Sequence, residues 1–342
     1  MGEKNDKEQF HLDLFGFFGN TPSKNNREFN PKIIHSNTIS IYDALPKYSW
    51  ADRQPKESKI VRSCTLEGVD YEMTIRPAFV ERINSKTKEK NQLAVYPGER
   101  EEAIEDVLRG LAANGQGEAF GDEMGVYFTI KQVRDELENI GKTFSHTEIV
   151  EALMVCNRAS LQVRVKGKIV VNSALFPNVT LTDRENYEAD SSTKCFVRFH
   201  PMVMASVINL DYRMFNYSLA MAIRSPLARH IYKRMTHYWR QASKTHKYSF
   251  NLMTYLTQTP RNISPRMGRN IDAMNRALTE LENKGILENY TVKEIYEGRK
   301  LLDAAYSCTP HVDFIADIKK ANYVSARRNL YSSLPSLPKQ LK

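Results

Sequence analysis

The chain has 342 residues, 41% of them hydrophobic, with 15 Phe and 17 Tyr, which is enough for two cores of ordinary size and too apolar for a mainly disordered protein. No apolar run approaches the ~20 residues that cross a bilayer, and MGEKNDKEQF lacks the basic-then-apolar order of a signal peptide. The expectation is a soluble, cytoplasmic protein without membrane contact.

The net charge of +9 is unevenly placed. Residues 1–190 carry 25 basic and 30 acidic side chains, whereas residues 191–342 carry 24 and 10. Within 224–276 there are 11 basic residues against the single Asp272, interleaved with Tyr232, Tyr238, Trp239, Tyr248, His230, His237 and His246. Such local density is the footprint of a surface that meets phosphates; a merely solvated basic face is the alternative. Cys64, Cys156, Cys195 and Cys308 are far apart in apolar settings, which predicts buried thiols rather than disulfides or a zinc site.

In chain order, residues 1–31 form a polar tail around the island HLDLFGFF (11–18). TISIYDAL (38–45) alternates as a strand does, and 59–77 reads as two strands about a Glu67-Gly68 turn. Residues 96–117 place Ile104, Val107, Leu108 and Leu111 at helical spacing behind an acidic first turn, which suits the helix dipole. Capping boxes begin two more helices, Thr129 with Gln132 and Ser145 with Glu148, and Gly141 stops the first of these. SLQVRVKGKIVVNS (160–173) then predicts a hairpin about Lys166-Gly167-Lys168. Three helices followed by a hairpin is the winged-helix order.

TDRENYEADSSTK (182–194) predicts an exposed excursion, Cys195–His200 a short strand, and 203–223 one continuous helix. The order then repeats. Ser225-Pro226 starts a basic helix over 225–242, 249–258 is a short second helix, and 264–287 a third. Residues 286–307 form a hairpin turning at Glu297-Gly298-Arg299, and a last helix spans 311–328. The expected fold is α+β: two tandem winged-helix domains, 32–190 with an N-terminal β-rich extension and 191–330, between a tail (1–31) and a second tail (331–342).

In the third helix of the second unit, Ser264 is the expected cap and Pro265 the first helical residue. Met267, Ile271, Met274, Leu278 and Leu281 share one face. Arg266, Arg269, Ala273 and Arg276 lie opposite, with Asn270 at the edge and Glu280 further along. A helix entering the DNA major groove by its N-terminal turns would show this polarity, with arginine pairing guanine, asparagine pairing adenine and Ala273 permitting close approach. The DNA-facing set is therefore Ser264, Arg266, Arg269, Asn270 and Arg276 here, and Arg299 and Lys300 at the hairpin turn. Lys233, Arg234, His237, Arg240, Lys244 and Lys247 join it from the preceding basic segment. In the first unit the third helix is acidic. Lys131, Arg134, His146, Thr147, Lys166 and Lys168 offer either weaker DNA contact or a protein-facing surface.

Several stretches together resemble bacterial plasmid replication initiators of the Rep/TrfA type. They are SNTISIYDALPKYSW, YEMTIRPAFVE, YPGEREEAIEDVLRGLA, SHTEIVEALMVCNR, VRFHPMV, SPLARHIYKRMTHYWRQASKTHKY and YSF, in order over roughly 35–290. The resemblance implies tandem winged helices that bind repeated origin sequences (iterons) in double-stranded plasmid DNA, with the second winged helix making the main groove contacts. It also implies opening of an A·T-rich region, whose single strands are a further candidate ligand, and recruitment of the host replication initiator and helicase. Homodimers that repress and monomers that initiate are implied as well. The island Leu12, Asp13, Leu14 and Phe15 resembles the peptide by which bacterial proteins dock on the replication sliding clamp, although His11 stands where that motif has Gln. A segment folding onto its own domain is the alternative.

An enzyme is not expected. There is no His-x-His metal pair and no G-x-x-x-x-G-K-[ST] phosphate loop, and the Gly cluster at 110–125 follows a helix rather than a strand. No cofactor and no metal are expected. A transcriptional repressor using the same helices without origin opening is the nearest competing reading, and a partition adaptor a third.

Overall fold

β1 (His35–Ile39) is shorter than the alternation over 38–45 predicts. The Asp43 carboxylate accepts from the Ile39 N–H at 2.8 Å and closes the first turn of α1 (Ser40–Ala44), so the strand gives way to a helix. The computed structural model describes residues 34–50, 57–83, 90–120, 123–181 and 194–333. The tails, the island bearing Leu12, Asp13, Leu14 and Phe15, and residues 182–193 of the expected excursion lie outside the described residues.

β2 (Ile60–Leu66) and β3 (Val69–Arg76) pair about Glu67-Gly68, both left-handed at φ 51° and 76°, as a two-residue hairpin turn requires. A second hairpin follows, β4 (Ala78–Ile83) with β5 (Lys90–Val95), then α2 (Glu99–Leu111), β6 (Gly117–Phe120) and β7 (Glu123–Phe128). α3 (Ile130–Asn139) and α4 (His146–Arg158) carry both expected capping boxes. The Thr129 hydroxyl accepts from Gln132 N at 3.0 Å and the Ser145 hydroxyl from Glu148 N at 3.3 Å. β8 (Ser160–Val165) and β9 (Lys168–Ala174) complete a sheet of order β2-β3-β8-β9. β10 (Val179–Thr180) and β11 (Cys195–Arg198) join β7 and β6 in another.

The single helix expected over 203–223 is three elements: α5 (Pro201–Ile208), β12 (Tyr212–Asn216) and α6 (Tyr217–Met221). Leu210 sits at φ 56°, which ends the helix, and YRMFN pairs antiparallel with β1, Tyr212 opposite Ile39 and Asn216 opposite His35. Then come α7 (Pro226–Tyr238), β13 (Tyr248–Asn251), α8 (Leu252–Thr257), α9 (Met267–Asn283), β14 (Leu287–Glu297), β15 (Lys300–Pro310) and α10 (Val312–Ser333). Ser225 caps α7 by accepting from Ala228 N at 3.3 Å. β13 pairs with β15, not β14, giving the order β13-β15-β14.

One apolar cluster runs from Ile39 to Ile318 through both units. α2 lies in it with every residue from Arg100 to Leu111 buried, including the charged ones. Its acidic first turn answers the helix N-terminus as expected, Glu101 accepting from Gly98 N at 2.8 Å, and its polar side faces the N-terminal segment and α7. Arg109 grips Asp43 at 2.5 Å and donates to Asn37 O at 2.6 Å, while Trp50 Nε1 donates to Glu102 at 2.7 Å. Lys233 of α7 pairs with Asp106. The Arg62 guanidinium on β2 reaches Pro46 O at 2.8 Å and Pro260 O at 3.1 Å. Buried charge is tolerated here because each of these groups is paired and hydrogen-bonded.

Three buried histidines line this interior. Burial pushes His200 and His230 down to about 3 and His237 to about 4. An unfolded imidazole takes up its proton near pH ~6.5 while the folded ones stay neutral, so the unfolded chain binds more protons and stability falls as pH drops from 6.5 towards 4. At pH 5 each contributes about 2 kcal/mol of destabilisation. Glu102, raised by burial, works in the opposite direction as pH falls from its raised value towards the ordinary carboxylate range. The expected result is a melting temperature that declines steadily between pH 7 and pH 5. A flat profile over that interval would show that the imidazoles are not held neutral.

Candidate nucleic-acid interface

α9 begins at Met267, and Arg266 occupies its N-cap without a side-chain cap bond. The expected Ser264–Pro265 start is therefore two residues early. Ser264 is held in the preceding loop instead, its hydroxyl accepting from Arg266 N at 3.2 Å. Asn270 clamps the same residue from both sides: its Oδ1 accepts from Ser264 N at 2.9 Å, and its Nδ2 donates to Ser264 O at 2.8 Å. With 0% exposure Asn270 cannot reach a base edge, which corrects its assignment to adenine recognition. Ala273 is also buried rather than outward. Asn270→Ala should cost about 1–3 kcal/mol of stability by leaving Ser264 unpaired, measured by urea unfolding. Unchanged stability with altered base preference would restore the original assignment.

The buried stripe of α9 is thus Asn270, Ile271, Ala273, Met274, Ala277, Leu278 and Leu281. Arg266, Gly268, Arg269, Asp272 and Arg276 are exposed. A Cβ at Gly268 would meet nothing within 4 Å, so this face is open. The acidic end has a structural cause. Glu280 accepts from the backbone N–H of Arg224 at 2.6 Å and of Ser225 at 3.0 Å, tying the start of α7 to the end of α9.

Three side chains assigned to DNA on α7 point inward, and each is a correction. Lys233 is paired with Asp106, and the His237 ring nitrogen lies 3.0 Å from the Thr38 hydroxyl. The Arg234 guanidinium lies 4.9 Å from the Tyr255 ring centroid and 5.6 Å from that of Tyr238, wedged between α7 and α8. These side chains fill the seam against α2 and the N-terminal segment, which composition could not show. Arg240, Lys244 and Lys247 after the helix are exposed, and Lys244 pairs with Glu288 at the base of β14.

β14 and β15 form a long projecting hairpin, exposed without interruption from Thr291 to Lys300. Arg299 and Lys300 sit at its tip beside Gly298, whose φ of 59° makes the turn. At its base the Tyr306 hydroxyl donates to Asn275 Oδ1 of α9 at 2.9 Å, and Asp303 Oδ1 accepts from Met253 N of α8 at 2.9 Å. Helix and hairpin are thereby fixed to one another. Arg261, in the loop before α9, was not anticipated because a loop residue gives no periodic signal. Burial first, and then the charge of Arg276, lower its affinity for its proton, which places the two guanidinium groups in one field.

In the first unit Lys131, Thr147, Lys166 and Lys168 are exposed, the last two at the β8–β9 turn. His146 is half-buried, and Arg134 lies 3.8 Å from Glu138. Glu151 of α4 pairs with Arg100 at 2.8 Å. All four cysteines are buried and unbonded, and burial raises Cys64 to about 11 and Cys308 to about 12, which makes these two poor nucleophiles. Among the described residues no group of His, Cys, Asp or Glu could hold a metal ion, and no helix is long and apolar enough to cross a membrane.

No protein-family model and no curated protein sequence matches the chain. Solved structures do. A selenomethionine crystal structure of domains 2 and 3 of RctB is similar over 80% of this chain and 97% of that one, at 13% identity and a TM-score of 0.47. A second crystal structure of RctB domains 2–3 is similar over 80% and 98%, at 12% identity and 0.42. A crystal structure of Pi initiator protein in complex with iteron DNA is similar over 63% of this chain and 91% of that one, at 9% identity and 0.41.

Proposed function

We propose that this chain is a replication initiator that binds repeated origin sequences in duplex DNA, with α9 in the major groove and the β14–β15 hairpin as its wing. The observation that carries the reading is the row Arg266, Arg269 and Arg276. It stands exposed on a helix whose other side is wholly buried, and no ion pair to a carboxylate engages any of the three among the described residues. The order α7-β13-α8-α9-β14-β15, with β13 paired to β15, fits a winged helix. Exposed guanidinium forks can pair both acceptors of a guanine edge, while Arg240, Lys244, Lys247, Arg299 and Lys300 supply phosphate contacts.

In this reading residues 191–330 form the main DNA-binding unit, and residues 32–190 contribute weaker contacts or face protein partners. Opening of a neighbouring A·T-rich segment and recruitment of host replication proteins complete it. The test is footprinting on the DNA that flanks the chain's own gene, with permanganate as the readout of unpaired thymines. Protection of an array of direct repeats with adjacent permanganate reactivity is expected. Protection of one palindrome without strand opening would favour the repressor.

A further inference from the structure

A cleft of about 640 Å³ opens where the end of α3, α6 and the end of α9 meet. Lys142, Arg224 and Lys284 line it, with Glu136 the sole carboxylate of its lining. No hydrogen bond or ion pair engages the side chain of Lys142, Arg224 or Lys284 among the described residues. Two buried groups behind them are unsatisfied. The Tyr217 hydroxyl, on a residue 1% exposed in the cleft wall, has no hydrogen-bond partner. Arg229, also 1% exposed, donates only from Nη1 to Ile223 O at 3.3 Å, leaving Nε and Nη2 unpaired. Its charge is felt by both Lys142 and Tyr217, as is that of Asp106, so it lies near the cleft without lining it.

Three lining cations against one lining carboxylate, with buried donors of Arg229 and Tyr217 nearby left unpaired, is an arrangement that gains free energy when an anion enters, with Asp106 and Glu102 of α2 the opposing charges in the same field. The volume falls within the range of small-molecule sites and exceeds what a single orthophosphate fills. We infer that this cleft binds a small polyphosphate, of the nucleoside di- or triphosphate class, with Arg224 and Lys284 on the phosphates at its mouth and Lys142, Arg229 and Tyr217 beneath. The site is separate from the DNA-facing end of α9. Lys284 caps the C-terminal end of that 17-residue helix, ~25 Å from Arg266 at the other. Ligand there bears directly on Glu280, which holds the backbone of Arg224 and Ser225.

The test uses the full chain without DNA, so that failure of the DNA reading leaves it intact. ATP, GTP, pyrophosphate and orthophosphate are titrated calorimetrically at fixed ionic strength into the wild type, Arg224→Glu/Lys284→Glu, Tyr217→Phe and, as a control, Arg299→Glu. Saturable binding of the nucleotides, at least tenfold tighter than orthophosphate, is expected. The double reversal should lose it more than tenfold, Tyr217→Phe should weaken it several-fold, and Arg299→Glu should leave it unchanged. The reversed positions are exposed, so folding is preserved, and this is checked by melting temperature. Absence of saturable nucleotide binding overturns the inference. So does equal weakening of nucleotide binding and, in a separate titration, of random-duplex binding in the double reversal, because the cleft would then be a stretch of DNA track.

Discussion

Lys233→Ala and Arg109→Ala should each lower the free energy of unfolding by about 3–5 kcal/mol, the usual cost of leaving one partner of a buried ion pair uncompensated. Lys233 is 9% exposed and Arg109 6%, and each faces a carboxylate: Asp106 is itself buried and loses its ion pair, whereas Asp43 is partly exposed and keeps Lys47 at 3.6 Å, so the Arg109 change falls at the lower end of that range. The Arg109 guanidinium also holds Asn37 O, so its loss frees a strand end as well as a charge. Denaturant unfolding measures both. For Lys233 the result separates two roles sharply. A phosphate contact would leave stability untouched and weaken every duplex equally, whereas a buried pair lowers stability and leaves the DNA affinity of the folded fraction nearly unchanged. Lys233→Met, which keeps the volume but not the charge, should remain destabilising, because buried Asp106 still loses its direct ion pair.

Arg269→Ala and Arg276→Ala should each cost about 1–3 kcal/mol on the cognate repeat and relax base preference at one position, with little change on random duplex. Both side chains are exposed on α9, so the fold is expected to tolerate their loss. Arg299→Ala and Lys247→Ala should behave differently, weakening specific and random DNA alike and reducing the salt slope by about one unit each.

What the sequence made legible was local. Capping boxes at Thr129 and Ser145, turns at Glu67-Gly68, Lys166-Gly167 and Glu297-Gly298, and the Ser225 cap all depend on residues within four positions of one another. What it hid was set by distant pairing. The strand β12 exists because β1, about 175 residues earlier, supplies its partner. Lys233, Arg234 and His237 look like a basic helix face until α2 and the N-terminal segment are laid across them. Asn270 sat at the margin of a helical wheel, where a single turn of loop geometry decides between solvent and a clamp on Ser264. Arg266, Arg269 and Arg276 are exposed as the helical spacing predicts, because amphipathic periodicity places exposed residues as surely as buried ones.

The most direct measurement is the ratio of affinities for the chain's own repeat and a scrambled duplex, at matched salt, for the wild type and the Arg269→Ala/Arg276→Ala pair. The account predicts that the ratio collapses by about 30-fold or more while scrambled binding holds, in line with the loss of two guanine-reading forks. Equal losses on both duplexes, or none on either, would contradict the assignment of α9 as the element that reads sequence.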